Sequence, residues 1–220
     1  MQSPQLSQAM GAMLVTTAVS SLVAVAMLSV VGAALTPGYS HVSQFISELG
    51  ATGAPTELWV RFGGFLPAGL LMLIFCFGAL RVLPRTPSVV LGLLGLAVYA
   101  AGYLVASAFP CDLGCRPAVP SMSQLIHNLG GMVGYLLAPA SLFMLALAAR
   151  GWPDSARLVV AGYVASAVAL VGLLTLSPSS ALVGVSQRAL EVAVLGWVVM
   201  LGWYLLGQSH HQGRAPADQR

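Results

Sequence analysis

The chain has 220 residues, 58% of them hydrophobic and 7% charged, with a net charge of +3. A soluble domain carries about 25% charged residues to build its surface, so this composition, with a mean hydropathy of +0.88, indicates an integral membrane protein. All nine basic residues are arginine and they form no run, which excludes nucleic-acid binding as a function class.

The N-terminal MQSPQLSQAMGAML lacks the basic n-region of a secretory signal, and the apolar stretch after it is expected to stay as a first membrane helix. A helix crossing a hydrocarbon core of about 30 Å needs about 20 apolar residues. Six segments qualify, at about 12–35, 62–82, 88–109, 125–149, 158–176 and 189–207. Their continuous apolar runs predict helices rather than the alternating strands of a barrel. The predicted fold class is therefore an all-α integral membrane protein, a six-transmembrane-helix bundle. Residues 1–207 are expected to form one domain, and 208–220 a polar cytoplasmic tail whose His210 and His211 are solvated.

Arginine is unevenly placed between the two ends of this bundle. Arg81, Arg85, Arg150, Arg157, Arg214 and Arg220 fall on one side, and Arg61, Arg116 and Arg188 on the other. The richer side is expected to be cytoplasmic. The chain is then a multi-pass protein of a bacterial inner membrane with both termini inside. The inner connections, RVLPRTPS and RGWPDSAR, are short; the outer ones are longer and gather Glu48, Glu57, Asp112, Glu191, His41 and His127. Ionisable groups at a membrane edge are costly unless paired or hydrated, so this gathering is the main functional clue.

The outer segments share a pattern: SQFISELG from Ser43, SQLIHNLG from Ser123 and SQRALEVA from Ser186. They suggest three copies of a helical hairpin, and membrane folds often place sites where repeats meet. In each, the glutamine and a later Glu or Asn are four residues apart and share a helix face. Gln44 with Glu48, Gln124 with Asn128, and Gln187 with Glu191 would form polar stripes. In the first, Val42, Phe45, Ile46 and Leu49 have the spacing of an apolar helix face. The segment His41–Leu49 is thus predicted to be a short amphipathic helix lying on the outer leaflet or over the bundle mouth.

Cys111 and Cys115 fall in an outer loop facing an oxidising compartment, where a disulfide is the leading reading. A metal site that adds His127, Asp112 or His41 is the rival, and free thiols are a third reading. Cys76, mid-helix, is read as packing. His41 and His127 could share a polar or metal site, ligate a haem, or bond to loop backbone, which is the default; no cofactor is assigned. Arg188 and Glu191, three apart at the start of the last predicted helix, could form an ion pair; alternatively Arg188, helped by Arg116, holds a phosphate or carboxylate. No phosphate loop, nucleophile elbow or zinc-helix motif occurs. No charged residue lies in the middle of a predicted helix, which argues against a proton-coupled carrier.

The order of YSHVSQFISELGATGAP, FPCDLGC, His127 and GVSQR resembles a bacterial and archaeal membrane family catalogued as domain of unknown function 998, over about residues 12–207. The resemblance implies a six-helix membrane protein and supplies no catalytic residues. A remoter likeness to the Frag1/DRAM/Sfk1 membrane proteins rests on topology. Three functions follow from the residues. The first is binding or sensing of a lipid headgroup or small polar ligand from the outer leaflet. Arg188 and Arg116 would hold an anionic group, with Gln44, Gln124, Asn128 and Gln187 around it. The second is a metal-assisted hydrolase of lipid-linked substrates with candidate catalytic residues His41, Glu48, Asp112, His127 and Glu191. The third is a structural subunit with no site.

Overall fold

The computed structural model describes residues 7–214, with side chains to His210. Six helical spans are long and apolar enough to cross a membrane: α1 (Gln8–Ala34), α2 (Leu66–Val82) together with the helical residues from Trp59 that lead into it, α3 (Pro87–Ala108), α4 (Met122–Ala149), α5 (Ala156–Leu174) and α6 (Val183–Arg214). Among the described residues there is no strand. A multi-pass helical membrane protein follows from these lengths and hydropathies.

Local chemistry sets the helix starts. Ser7, Thr86 and Ser121 each accept a first-turn amide, from Met10, Val89 and Gln124 respectively, which satisfies donors that have no partner within the helix. Pro87 opens α3, where its missing N–H costs nothing. A π-helical segment, Trp59–Phe65, leads into α2; Pro67 follows one residue into α2 and cannot donate to that wider turn.

Each helix packs on its neighbours in the chain, and α6 closes back on α1, so the six form a ring in sequence order. Lipid-spanning helices gain little from apolar contact alone, and small residues and side chain–carbonyl bonds hold them instead. Ser21 Oγ donates to the Ala68 carbonyl at 3.0 Å, linking α1 to α2. Ser166 Oγ donates to the Pro139 carbonyl at 2.8 Å, linking α5 to α4. Trp197 Nε1 donates to the Leu158 carbonyl at 3.0 Å, linking α6 to α5. At Gly134 a Cβ would sit 2.9 Å from the Tyr99 Cα, so glycine there lets α4 approach α3 closely. Leu14, Leu28, Met72, Leu96, Leu142 and Trp197 are buried within the bundle, while Val23, Leu70, Phe77, Leu91 and Val160 are exposed on its flanks. Those exposed apolar flanks are the face a bilayer covers.

Both described chain ends lie at one end of the ring, where Gln8 Nε2 and His210 Nδ1 are 3.4 Å apart. The other end carries the three long connections, residues 35–58, 109–121 and 175–182, and is here called the capped end. The 35–58 connection departs from the predicted amphipathic helix. Residues 41–44 form a turn, and only Ile46–Gly50 are helical, as a 3₁₀ turn. Ile46 and Leu49 are buried as the apolar spacing required, but Val42 is exposed. Bonds to α6 and to the 109–121 loop hold the segment as a roof, and an unbroken α-helix could not make them. Helix α6 also runs on to Arg214, through the first part of the predicted tail; His211 lies outside the described side chains, and residues 215–220 outside the described residues.

Candidate functional site

The start of α6 is the organising element. Its Gly184 and Val185 amides both donate to the Val42 carbonyl, at 2.9 and 3.2 Å. A Cβ on Gly184 would fall within 2.5 Å of the His41 and Gln44 carbonyl oxygens, so only glycine admits the roof this close. One turn on, Gln187 Oε1 accepts the Ile46 amide at 2.7 Å. Arg188 donates to the His41 carbonyl at 2.9 Å and the Gln44 carbonyl at 3.2 Å. Its other terminal nitrogen donates to Tyr39 Oη at 2.7 Å, and Tyr39 in turn donates to the Phe45 carbonyl at 2.9 Å. Burial, opposed in part by Arg188, raises the Tyr39 pKa, which keeps this phenol protonated as a donor.

Arg188 therefore grips the roof and does not pair with Glu191. The ion pairs of the described residues are Arg61–Glu57 at 2.7 Å and Arg116–Glu48 at 3.4 Å. Glu48 is buried, and its carboxylate also accepts Gln44 Nε2 at 2.7 Å and the Phe45 amide at 2.9 Å. Arg116 donates to the Ser43 carbonyl at 2.9 Å and lies 5.1 Å from the Phe45 ring centre. His41 is exposed, with its ring edge-on to Tyr39; the small loss of solvation there, and then the Arg188 charge, lower its pKa.

The 109–121 loop is stapled similarly. Cys111 and Cys115 lie at disulfide distance, around Gly114 in the left-handed region at φ 76°, a backbone state that favours glycine. Gln124 Oε1 accepts the Asp112 amide at 2.8 Å, and Gln124 Nε2 donates to Asn128 at 2.8 Å. The Asp112 carboxylate accepts the Ser121 amide at 2.9 Å, which holds its pKa below the usual carboxylate value. All three glutamines of the Ser-Gln pattern thus do one job. Gln44, Gln124 and Gln187 each accept a loop amide, from Ser40, Asp112 and Ile46. The glutamine and the residue four further on, expected to share a face, are hydrogen-bonded in the first two. Gln187 Nε2 goes instead to Tyr135 Oη, at 2.8 Å.

Beneath the roof lies a cavity of about 420 Å³ between α3, α4 and α6. Its polar end is Glu191, 5% exposed. Tyr99 and Tyr103 donate to Glu191 Oε2, and Tyr135 donates to Oε1 at 2.6 Å. Because α6 begins at Val183, Glu191 is 191 − 183 = 8 residues inside it, roughly 12 Å along the axis. Glu191, expected where the last helix opens, thus lies about two turns inside it, since the polar start of α6 is helical from Val183 on. Composition reads Ser186–Arg188 as loop, whereas the roof supplies their partners and lets the helix extend through them.

Of the candidate residues, His127, Asn128, Gln187 and Glu191 line the cavity; His41, Gln44, Glu48, Asp112, Arg116, Gln124 and Arg188 do not. His127 Nδ1 is 2.9 Å from the Phe109 carbonyl, the backbone bond given as its default. His41 packs against Tyr39 and His127 against the Phe109 carbonyl, and among the described residues no group of three or more His, Cys, Asp or Glu side chains could hold a metal ion. Sequence reasoning passed over Tyr99, Tyr103 and Tyr135. A signal was available: Tyr99 and Tyr103, four apart in an apolar helix, place two phenols on one face, and a buried phenol needs a partner.

A six-helix membrane bundle with a roofed, carboxylate-ended cavity at one end is the class this fold defines. A family model described as "Protein of unknown function (DUF998)" matches residues 10–204, and the chain belongs to that family. No curated protein and no solved structure matches it.

Proposed function

We propose that the protein binds an amphiphile, a lipid by its headgroup or a small polar ligand with an apolar part, entering sideways from the outer leaflet of a bacterial inner membrane. The observation that carries this reading is the composition of the cavity wall. Leu129 and Met132 of α4 line the cavity and are also 66% and 45% exposed on the flank of the bundle. A wall shared with the lipid face is a route for an apolar chain, and the phenol–carboxylate cluster at the far end is where a polar group would stop. Mostly apolar pockets with a few convergent polar groups are the usual form of a binding site. Phe45, Ile46 and Ser47 of the roof line the cavity, which favours the bilayer over the aqueous side as the source of ligand.

Gly131 allows a clean test. It lines the cavity, and a Cβ there would meet nothing within 4 Å, so a side chain can start there without a clash and Gly131→Phe is expected to occupy cavity space. Lipid retained through mild detergent extraction, measured by mass spectrometry, is expected to fall at least tenfold in the variant while thermal stability holds. Wild-type protein that retains neither lipid nor a smaller amphiphile and binds none added, or a variant that retains as much as wild type, overturns the reading.

A further inference from the structure

We infer that the ligand carries a cationic ammonium group, which sits beside Glu191 against the surrounding tyrosine rings. This rests on the cavity being a lateral-entry site, and it adds the charge of the headgroup. Glu191 is buried in a membrane-spanning helix, yet among the described residues no arginine or histidine nitrogen lies within 4.0 Å of it. Its nearest cation in sequence, Arg188, is turned away and committed to the His41 and Gln44 carbonyls and to Tyr39. A carboxylate offers about four lone-pair sites; the three phenols take three and leave one on Oε1. An ion at this depth is costly unless a partner neutralises it or the group takes up a proton; the chain aims three phenol donors at Glu191 but places no cation in contact with it, and a cationic ligand would complete the site.

The walls suit the same class. Tyr99 and Tyr103 meet edge-on at 5.4 Å between ring centres, Tyr99 and Tyr135 lie 6.2 Å apart, and Phe65 stacks on Tyr103 at 6.1 Å. All four line the cavity. Aromatic faces attract ammonium groups, most strongly when water is excluded. An anionic headgroup would meet the Glu191 charge with no arginine facing the cavity. The anion-holding role considered for Arg188 and Arg116 thus gives way to a cation held by Glu191. Through Tyr135 and Gln187, the carboxylate is also wired to the Ile46 amide of the roof.

Three hexyl probes of matched tail separate the possibilities: hexyltrimethylammonium, hexyl phosphate and hexanol. Binding is measured by calorimetry on purified protein in a neutral detergent. The ammonium probe is expected to bind at least tenfold more tightly than the other two, and Glu191→Gln to abolish that preference. Equal or tighter binding of the phosphate or the alcohol overturns the charge assignment and leaves the lateral site standing. Binding of none of the three overturns both. The headgroup comparison needs only wild-type protein, so a variant that fails to fold does not block the test. A second arm identifies the source. In nanodiscs of equal phosphatidylethanolamine and phosphatidylglycerol, selective retention of the amine lipid, displaced by hexyltrimethylammonium, assigns a membrane lipid. Ammonium binding without such retention assigns a free amphiphilic amine. Selective retention of phosphatidylglycerol overturns the inference.

Discussion

Gln187 is the side chain on which roof and cavity both depend. It accepts the Ile46 amide and donates to Tyr135 while 7% exposed. Leucine at this position would orphan the Ile46 amide, while Tyr135 keeps its bond to Glu191, and a buried polar group without a partner costs about 1–3 kcal/mol. Gln187→Leu is therefore expected to lower stability by about 1–3 kcal/mol, read by denaturant or thermal unfolding in detergent. Loss below about 1 kcal/mol would mean the roof is not held there. Asp112 makes a pH-dependent contact. Its folded pKa is depressed by the Ser121 amide, so its contribution is present above the unfolded value near 4 and is lost as pH falls through the depressed folded value. The melting temperature of wild type should fall across that acid range more steeply than that of Asp112→Asn; parallel profiles would remove Asp112 from the capping contact. Most charged and amide residues of the site could be picked out from the sequence, because polar side chains stand out in an apolar chain. The tyrosines could not be, because a phenol in an apolar helix counts as hydrophobic until its hydroxyl is given a destination.

Among the elements, the roof departs most from its expected form. Residues 41–50 have the apolar spacing of an amphipathic helix, but helix is only one way to bury Ile46 and Leu49. Carbonyl bonds to Arg188 and to the first amides of α6 draw residues 41–44 into a turn instead. Facing the roof, the loop at Cys111–Cys115 is pinned by its cysteine pair and by a 2.8 Å bond from the Thr52 amide to the Cys111 carbonyl. A bridge closing five residues contributes roughly 2 kcal/mol by the chain-entropy estimate. Replacing both cysteines by serine is expected to cost about that much. Thiol labelling of unfolded, unreduced wild type should modify Cys76 alone, and reduction should expose all three cysteines. Three labelled thiols before reduction would exclude the bridge.

For the whole molecule, the testable matter is orientation. The arginine asymmetry leads us to propose that the capped end faces outward. Val119, 86% exposed, lies in a capped-end loop, and Asp154 is exposed in the 150–155 connection at the other end. Without the native cysteines, an impermeant maleimide on intact cells is expected to label Val119→Cys and to label Asp154→Cys only after lysis. The reverse pattern would place the capped end in the cytoplasm, where a structural disulfide is not expected, and would move ligand entry to the inner leaflet.

The six spans were legible in the sequence because a bilayer demands about 20 apolar residues per crossing and nothing else satisfies that demand. The gathering of polar residues at one end was legible for the same reason: charge is costly in the spans and so is rare there. Which of those residues face one another depended on tertiary structure. The helix ring brings Gln187 to Tyr135 and Ile46, turns Arg188 up to the roof, and leaves Glu191 inside among three phenols. Hydrogen-bond partners separated by 52 to 149 positions have no periodicity to betray them. Their pairing is set by which helix faces meet, and so only the folded ring turned a list of polar residues into a cavity with a charge at its end.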